Sequence, residues 1–483
     1  MPTARLPLTA PALRRALIAG ARRVIAGRDA LNRINVFPVA DGDTGNNLAH
    51  TLGSLLNGAL SRRSRHIGEL LRRIGDDAID GARGNSGAIL AQFLYGVAEH
   101  ARSQPELDAA TLAASVRHGA DNARAALAHP VEGTILSVIN AFADALDEAA
   151  AASADGDPRP GFVAALARAR IALARTPQQM ALLQKAGVVD AGAQGFVNLL
   201  EGIAEFLEGG PRVLRVHGAA AAANEGCADH AHGSGGAAIP ALHEAVDPQR
   251  RWCSECLLIG QDLPRDRLRD ELEAIGADSL VLAGGAARLR VHGHVGAPQV
   301  LFDTCARYGA VEAMKADDML AQQRSVERVQ RVAVVTDGAA DLPDELAERY
   351  GVQQVPVRVS VDGRDYLDKV GLSTAEFYRR MAVSADLPRT SQPPPGDFRR
   401  VFDFLLGHRA QVLYVGLSRA VSGTLQSGEH AAARTDTGRV QVFDTFNAAG
   451  GQALLAWRAA ELAADGIELA AIVAELERLR PLT

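Results

Sequence analysis

The sequence predicts a multidomain protein in which an all-α helical bundle is followed by two α/β domains. From residue 11 to about 208, apolar residues recur at helical spacing and no convincing alternating strand interrupts them. After a Gly/Ala/Ser-rich stretch at 218–240, short apolar strands begin to alternate with helical segments. From about 330 onward, buried strands lead through small polar loops into helices, which is typical of a parallel α/β sheet.

These changes of pattern divide the chain of 483 residues into segments, and the length suggests about three domains. We predict a helical domain at 1–210, a low-complexity linker at 211–240, an α/β domain at 241–328 and a third unit at 329–483. The linker contains Cys227, His230 and His232. We expect these side chains to be solvated, because a low-complexity segment seldom forms a metal site in advance.

Composition argues against several classes of protein. The net charge of −6 comes without a basic stripe, which argues against nucleic acid as the main partner. No apolar run is long enough to span a bilayer, and the N-terminus lacks the apolar core and cleavage site of a signal peptide. Four cysteines at irregular spacing are too few for a disulfide framework. We therefore expect a soluble, cytoplasmic protein.

The segment at 35–47, NVFPVADGDTGNN, places two carboxylates in one tight turn before a helical pattern. Gly42 and Gly45 permit the backbone angles that such a turn needs. Asp41 and Asp43 repel each other unless a cation holds them, and oxygen ligands suit Mg²⁺ with nucleotide phosphate completing its shell. The amides at the start of the following helix add a site for phosphate oxygens. An Asp-Gly turn that merely caps the helix is the alternative interpretation.

A second loop, GARGNSG at 81–87, precedes the apolar helical segment that begins at Ala88. Its glycines and its Asn and Ser side chains offer amides and hydroxyls to a phosphate, although the same residues also make a well-capped helix. Two later segments, PVEGT at 130–134 and GVVDAGAQG at 187–195, also place glycine beside small polar groups at a helix edge. Asp190 in the latter is an equally good candidate for a helix N-cap.

In the middle region His292 and His294 lie two apart on a predicted strand, so their side chains share one face. Together with one thiolate they form a candidate Zn²⁺ site. Cys253 and Cys256 lie three apart on another predicted strand and face opposite sides, which makes a two-cysteine site less suitable. Two ordinary strand histidines and two buried thiols are the alternative.

The last region combines strands at 331–337, 353–361 and 411–417 with two polar loops. RTSQPPP at 389–395 presents hydroxyls on a turn stiffened by proline, and SRAVSGT at 418–424 joins a strand to a helix start. A loop between a strand and a helix is the usual phosphate or carboxylate site of a parallel α/β sheet. ST-turns and helix caps use the same residue types.

The helical domain resembles the DhaL family of nucleotide-binding domains, in the form found in fatty acid kinases, whose loop reads close to LNVFPVPDGDTGTNM. The match departs at Ala40, Asn46 and Leu48, and the 81–87 loop is identical to the family's GARGNSG segment. The resemblance implies that Asp41 and Asp43 are catalytic and, with Asn35, hold Mg²⁺ against ATP. The residues it implies for the nucleotide are Thr44, Gly45, Asn46, Asn47, Gly84, Asn85, Ser86, Gly87, Gly133, Thr134, Asp190 and Gly192. Because Asn46 replaces the usual threonine, we expect one phosphate contact to differ from that of the family.

The later regions resemble two further families. WCSEC and VHGHV match the YCTEF and VHVHT of the fatty acid kinase middle domain, which implies Cys253, His292 and His294 as metal ligands. VTDGAADLP, PRTSQPPPGDF, VGLSRAVSGT and VFDTFNAAGGQ match the DegV family of fatty-acid-binding proteins in order. That resemblance implies that the fatty acid carboxylate meets Thr390, Ser391, Ser422, Gly423 and Thr424. The segment ends at Thr483, where the family continues into a second lobe, so we expect an incomplete DegV-like fold.

The expected activity is ATP-dependent phosphorylation of a fatty acid carboxylate to an acyl phosphate, with Mg²⁺ and ATP as cofactors and Zn²⁺ as a further candidate. The expected partners are a long-chain fatty acid, a second copy of the chain in a homodimer, and a separate DegV-type acyl-binding protein. One alternative is a dihydroxyacetone-kinase-like enzyme that phosphorylates a small hydroxyketone. Another is a lipid-binding regulatory protein without turnover.

Overall fold

The computed structural model describes residues 8–37, 39, 41–153, 156–210, 212–213, 246–435 and 438–483. The predicted linker, with Cys227, His230 and His232, lies almost entirely outside them. The described residues form two compact units. The first unit is the helical region together with residues 254–295 and 302–314, and the second contains residues 246–253, 296–301 and 315–483.

The described part of the helical region contains ten helices. Their bounds are Ala10–Ala26 (α1), Arg28–Arg33 (α2), Thr44–Asn57 (α3), Ile67–Gly81 (α4), Gly84–His100 (α5), Ala109–Ala125 (α6), Ile135–Ala152 (α7), Pro158–Gln179 (α8), Ala181–Ala186 (α9) and Ala191–Gly209 (α10). Successive helices from α3 to α8 pack on one another, and α10 packs on both α8 and α1, so the bundle closes on itself.

The interior of this bundle is apolar because each helix turns one buried face inward. In α4, for example, Leu70 and Ile74 are fully buried at helical spacing, whereas Arg72 between them is exposed. Phe196 on α10 meets Phe93 and Phe142 in edge-to-face contacts, with ring centroids 5.4 and 6.0 Å apart. The packed interior fixes the loops at the ends of these helices.

The middle region forms one four-stranded sheet of order β2-β3-β1-β4. Its elements are Trp252–Ile259 (β1), Arg265–Ala274 (α11), Asp278–Gly285 (β2), Arg288–Val295 (β3), Pro298–Ala306 (α12), Ala310–Asp318 (β4) and Met319–Glu327 (α13). Strands β2 and β3 are antiparallel, with Val281 opposite His292. Leu257, Val281 and Ala283 belong to the same apolar cluster as the helical bundle, so this part of the sheet shares its core with the helices.

The last region has a parallel sheet of order β11-β10-β5-β6 and an antiparallel sheet of order β8-β7-β9. The strands are Val332–Asp337 (β5), Gln353–Val355 (β6), Arg358–Val361 (β7), Arg364–Leu367 (β8), Arg389–Ser391 (β9), Gln411–Gly416 (β10) and Val440–Asp444 (β11). The helices are Asp344–Tyr350 (α14), Thr374–Val383 (α15), Pro395–His408 (α16), Thr424–Ala432 (α17), Ala449–Ala464 (α18) and Leu469–Leu479 (α19).

Helices cover both faces of the parallel sheet. Alternate residues of β5 enter two separate apolar clusters: Val334 packs with α18 and α19, whereas Val335 packs with α16 and α17. Continuous apolar strands such as β10 are therefore buried on both sides, as a parallel sheet requires. The predicted fold class, a helical bundle followed by two α/β regions, is confirmed.

Two local predictions are wrong. The strand predicted at 353–361 is two strands in different sheets, because Pro356 between them has no N–H with which to continue the ladder. Thr390 and Ser391 do not lie on a turn. They belong to β9, an exposed edge strand in which Thr390 pairs with Val359.

Within the described residues, no helix combines the length and the apolar character that crossing a bilayer would demand.

Candidate functional site

The two aspartates at 41 and 43 lie between the end of α2 and the start of α3. Gly42 between them adopts a φ of +68°, a left-handed conformation that glycine accepts without strain. Burial raises the pKa of Asp41 well above its usual range, and both the charge of Asp43 and a hydrogen bond with it raise this pKa further. Two carboxyl groups in this arrangement share a proton or bind a cation, which agrees with the donor set expected for Mg²⁺.

Asn35 lies in the same loop and orients Asp41. Its amide nitrogen donates to Asp41 Oδ1 at 3.0 Å and to the Val39 carbonyl oxygen at 2.7 Å. Its amide oxygen accepts a hydrogen bond from the hydroxyl of Thr44. Both ends of the amide therefore have a protein partner, and the amide oxygen keeps a second lone pair that a cation could use. The structure places Asn35 beside Asp41 as its hydrogen-bond donor.

Asn46, which replaces the family's threonine, is buried and pairs with Asn32 on α2. The Asn46 backbone amide donates to Asn32 Oδ1 at 3.1 Å, and Asn32 Nδ2 donates to Asn46 Oδ1 at 3.2 Å. Gly45 lies against the α2 backbone, since a Cβ there would come within 2.1 Å of the Arg28 carbonyl oxygen. Asn46 and Gly45 thus attach α3 to α2. The sequence analysis did not identify Asn32 as the hydrogen-bond partner of Asn46.

The 81–87 loop meets the loop of the two aspartates through Asn47. Gly84 has a φ of +60°, and a Cβ at this position would lie only 2.3 Å from Asn47 Nδ2. Gly87 faces Thr51, whose hydroxyl accepts a hydrogen bond from the Arg83 amide at 3.1 Å. These contacts bring the two predicted loops side by side at the starts of α3 and α5.

The start of α10 completes the group of loops. A Cβ on Gly192 would come within 2.7 Å of Ser86 Oγ, so a larger residue here would displace the Ser86 hydroxyl. Asp190 is the N-cap of α10 and accepts from the Ala193 amide at 2.8 Å. Burial raises the pKa of Asp190 to about 6, although hydrogen bonds from the Ala193 and Ile135 amides act in the opposite direction and lower it. Through Ile135, this carboxylate also lies beside the predicted Gly133–Thr134 segment.

These residues fit a phosphate ligand. Asn85 and Ser86 lie in the first turn of α5, and an amide nitrogen and a hydroxyl can donate to phosphate oxygens. Among the described residues, Asn85 Oδ1 is shielded from solvent and has no hydrogen-bond partner; as an acceptor it suits a cation or a donor group of the ligand. The first amides of a helix have no partner within the helix and attract anions. Thr134 differs: its hydroxyl donates to the Val131 carbonyl oxygen at 2.7 Å and caps α7, so it shapes its own loop.

In the middle sheet, Cys253 on β1 and the two histidines on β3 lie on neighbouring strands. Their candidate ligand atoms all lie within 4.8 Å of one another. One thiolate with two imidazoles is a donor set that suits Zn²⁺. Cys256 is fully buried instead, and a hydrogen bond with Cys305, together with burial, raises its thiol pKa.

In the last region the predicted acyl-site residues lie on two loops that meet. A Cβ on Gly423 would come within 2.1 Å of Gln392 Oε1, which places the loop before α17 against the end of β9. Ser422 Oγ lies 3.0 Å from Thr424 Oγ1. Thr424 is buried, whereas Thr390 and Ser391 are exposed. Thr424 therefore positions Ser422, and the accessible hydroxyls are those of Thr390, Ser391 and Ser422.

Sequence reasoning also missed Glu255 and Arg290, whose side chains reach the 81–87 loop from the middle sheet. Both are charged residues inside apolar strands and both are only 1% exposed. A buried charge requires a buried partner, so a charged residue inside an apolar strand was the feature of the sequence that could have identified these two residues.

Comparison with known families gives three successive matches along the chain. Residues 38–205 match the family model described as "DAK2 domain". Residues 249–326 match a family model for the middle domain of fatty acid kinases, and residues 331–483 match "Uncharacterised protein, DegV family". Successive parts of the chain are thus similar to a DAK2 domain, to a fatty acid kinase middle domain and to the DegV family.

The DAK2 and middle-domain matches are similarities to domains of a kinase family. Curated relatives include uncharacterized proteins of Staphylococcus aureus strains USA300 and NCTC 8325. Each is 30% identical over 316 residues, which cover 65% of this chain and 56% of the relative. The chain therefore spans about half the length of the curated relatives it matches.

Solved structures that resemble the DegV-like domain include a fatty-acid-binding DegV family protein from Thermus thermophilus. It is 42% identical with a TM-score of 0.30, and the match covers 31% of this chain and 54% of that one. DegV from Bacillus subtilis, described as a fatty acid binding protein, is 30% identical with a TM-score of 0.30. In that case the match covers 32% of this chain and 55% of that one.

The raised pKa of Asp190 gives a testable pH dependence. Its pKa is 3.8 when unperturbed and about 6 in the folded protein, so between these values the folded form keeps a proton that the unfolded form loses. The free energy of unfolding consequently falls as pH rises through this window. Asp190→Asn retains the cap oxygen but does not titrate. We expect its stability relative to wild type to increase by about 1–1.5 kcal/mol between about pH 5 and about pH 7.5, measured by urea denaturation followed by circular dichroism.

Asp108→Asn is the matched control, because Asp108 caps α6 but hydrogen bonding to Thr111 lowers its pKa. Its relative stability should fall or stay constant as pH rises. Equal slopes for the two variants would contradict the assignment of Asp190.

Proposed function

We propose that this chain transfers the γ-phosphoryl group of ATP to the carboxylate of a fatty acid and so forms an acyl phosphate. The observation that carries the proposal is the contact between the two loops. Asn47 beside Gly84 joins the paired aspartates to the 81–87 loop, in a DAK2 domain that a fatty-acid-kinase middle domain follows. Paired carboxylates for the metal and the start of a helix for the phosphates are the two elements that a metal–nucleotide complex requires.

Asp41 and Asp43 would hold Mg²⁺, which supplies positive charge to the nucleotide phosphates when bound. Asn35 keeps Asp41 in position through its 3.0 Å hydrogen bond. Asn85 and Ser86 in the first turn of α5 would receive phosphate oxygens, with the Gly192 backbone close to Ser86. Asp190 is assigned to hold the start of α10, because its carboxylate already accepts from the Ala193 amide.

In the proposed reaction a fatty acid carboxylate oxygen attacks the γ-phosphorus. The bond from that phosphorus to the bridging oxygen breaks, and ADP leaves with the electron pair. A carboxylic acid is already ionised near neutral pH, so the acceptor needs no general base. Phosphoryl transfer depends mainly on positioning and on stabilisation of charge, which are the functions assigned to these loops.

The acyl acceptor is assigned to the DegV-like domain. Thr390, Ser391 and Ser422 would hold the carboxylate, and Thr424 would fix Ser422 through their 3.0 Å contact. The DegV family match of residues 331–483 supports this assignment. We further propose that the chain acts as a homodimer in the cytoplasm and that a separate DegV-type protein can also deliver the fatty acid.

Acyl phosphate formation tests the proposal. Mg²⁺-ATP and oleate should yield a product that hydroxylamine traps as the hydroxamate. Asp41→Ala and Asp43→Ala should each lower its rate by at least about 100-fold, because charge stabilisation at the transferred phosphoryl group is lost. Asp76→Ala is the matched control, since Asp76 is a partly exposed aspartate of the same domain that pairs with Arg72.

The assay is run with the chain alone and with an added DegV-type protein. Acyl phosphate formation that persists in Asp41→Ala and in Asp43→Ala would contradict the proposed site. Nucleotide binding without any acyl product under either condition would favour a regulatory lipid-binding role, and phosphorylation of dihydroxyacetone instead would favour the small-ketone alternative.

We also propose that Cys253, His292 and His294 hold Zn²⁺. His294→Ala removes one of three ligands, so the zinc content of the purified protein should fall from about one ion per chain to near zero, as elemental analysis by mass spectrometry would show. Cys305→Ala alters a buried thiol outside the cluster and should leave the content unchanged. Zinc retained in the His294 variant, or absent from wild type, would refute the assignment.

A further inference from the structure

The connection between α4 and α5 is held by the middle sheet. Arg290 on β3 donates to the Ala82 carbonyl oxygen from Nε at 3.1 Å and from Nη2 at 2.9 Å. Ala82 follows directly after α4 and is fully buried. Two bonds from one planar guanidinium fix both the position and the direction of this carbonyl group.

Two residues later, a second strand of the same sheet holds the loop again. Glu255 on β1 accepts a hydrogen bond from the Gly84 amide at 2.8 Å. Gly84 begins α5 in a left-handed conformation, and its amide has no partner within the helix. The same oxygen, Glu255 Oε1, lies 3.1 Å from His292 Nδ1. One buried carboxylate therefore links the helix start to a histidine of the middle sheet.

These charged contacts are not needed to hold the helices and the sheet together. Neutral hydrogen bonds already join them: the Leu282 amide donates to the Ala126 carbonyl oxygen at 2.9 Å, and Gly284 donates to Gln92. Apolar residues of the sheet also enter the helical core. Burying a guanidinium and a carboxylate is costly, and apolar residues would serve packing equally well. Both charges act on the one loop whose side chains we assign to phosphate.

We propose that Glu255 and Arg290 are positioning residues of the nucleotide site. By holding Ala82 and Gly84, they set the orientation of the 81–87 loop, so that Asn85 and Ser86 face the phosphates. The middle sheet thereby completes a site whose ligand-binding groups all belong to the helical domain. This inference rests on the proposed function only in that a nucleotide binds at the loop.

The test compares Glu255→Leu, which removes the acceptor, with Glu255→Gln, which keeps an amide oxygen for the Gly84 N–H. Affinity for a magnesium complex of a non-hydrolysable ATP analogue is measured by calorimetry, and exchange of the amides of residues 82–88 by hydrogen–deuterium exchange. We expect Glu255→Leu to weaken binding at least about tenfold and to accelerate exchange, because one charge-assisted hydrogen bond is lost. Glu255→Gln should restore most of both values.

Arg288→Ala is the matched control. Arg288 is also on β3 and pairs with Asp80 on α4 at 2.9 Å, but both side chains are partly exposed. Its variant should bind the analogue like wild type. If Glu255→Leu does not fold, Arg290→Lys provides the second measurement, because an ammonium group cannot reproduce both guanidinium bonds to Ala82. The Arg290→Lys variant should bind the ATP analogue more weakly than wild type and unfold at the same temperature.

Unchanged affinity and unchanged exchange in Glu255→Leu would overturn the inference, as would an equal loss in Glu255→Gln. If wild type binds the analogue but forms no acyl phosphate, the proposed reaction fails and the inference is still decided by the affinities. If wild type binds no nucleotide, both fail.

Discussion

Two carboxyl groups in one loop are the constraint on which the helical domain depends. Asp41 and Asp43 lie close enough to share a hydrogen bond, and burial together with the charge of Asp43 raises the pKa of Asp41. Such a pair is unfavourable in its ionised form unless a cation neutralises it. The surrounding residues keep the pair in place: Asn35 holds Asp41, Thr44 holds Asn35, and Asn32 anchors the first turn of α3. A large part of the local hydrogen bonding therefore maintains an arrangement that is costly without a ligand.

The second constraint is close backbone approach at the helix starts. Gly84 and Gly192 leave room for Asn47 and Ser86, so that three helices begin at one place. Side chains of the middle sheet, Glu255 and Arg290, bind the backbone of the 81–87 loop there. The helical bundle and this part of the sheet consequently behave as one packed body, which explains why the middle region shares an apolar core with the helices.

Local patterns predicted much of this architecture. Helical periodicity, the two glycine loops and the paired histidines on β3 were all readable because each depends on residues near one another in sequence. Long-range contacts were not readable. Nothing local indicates that Asn46 pairs with Asn32 or that Glu255 accepts from Gly84, 171 residues away. The break at Pro356 was readable in principle, because proline cannot continue a strand ladder, but the apolar run on either side concealed it. The edge strand at Thr390 forms only through pairing with β7.

The most direct test of the central claim is a crystal structure of the protein with Mg²⁺ and a non-hydrolysable ATP analogue. The account predicts a cation bound by Asp41 and Asp43, with the phosphates of the analogue at the first turn of α5 beside Asn85 and Ser86. A cation bound away from both carboxylates, or phosphates bound elsewhere than at the 81–87 loop, would contradict it.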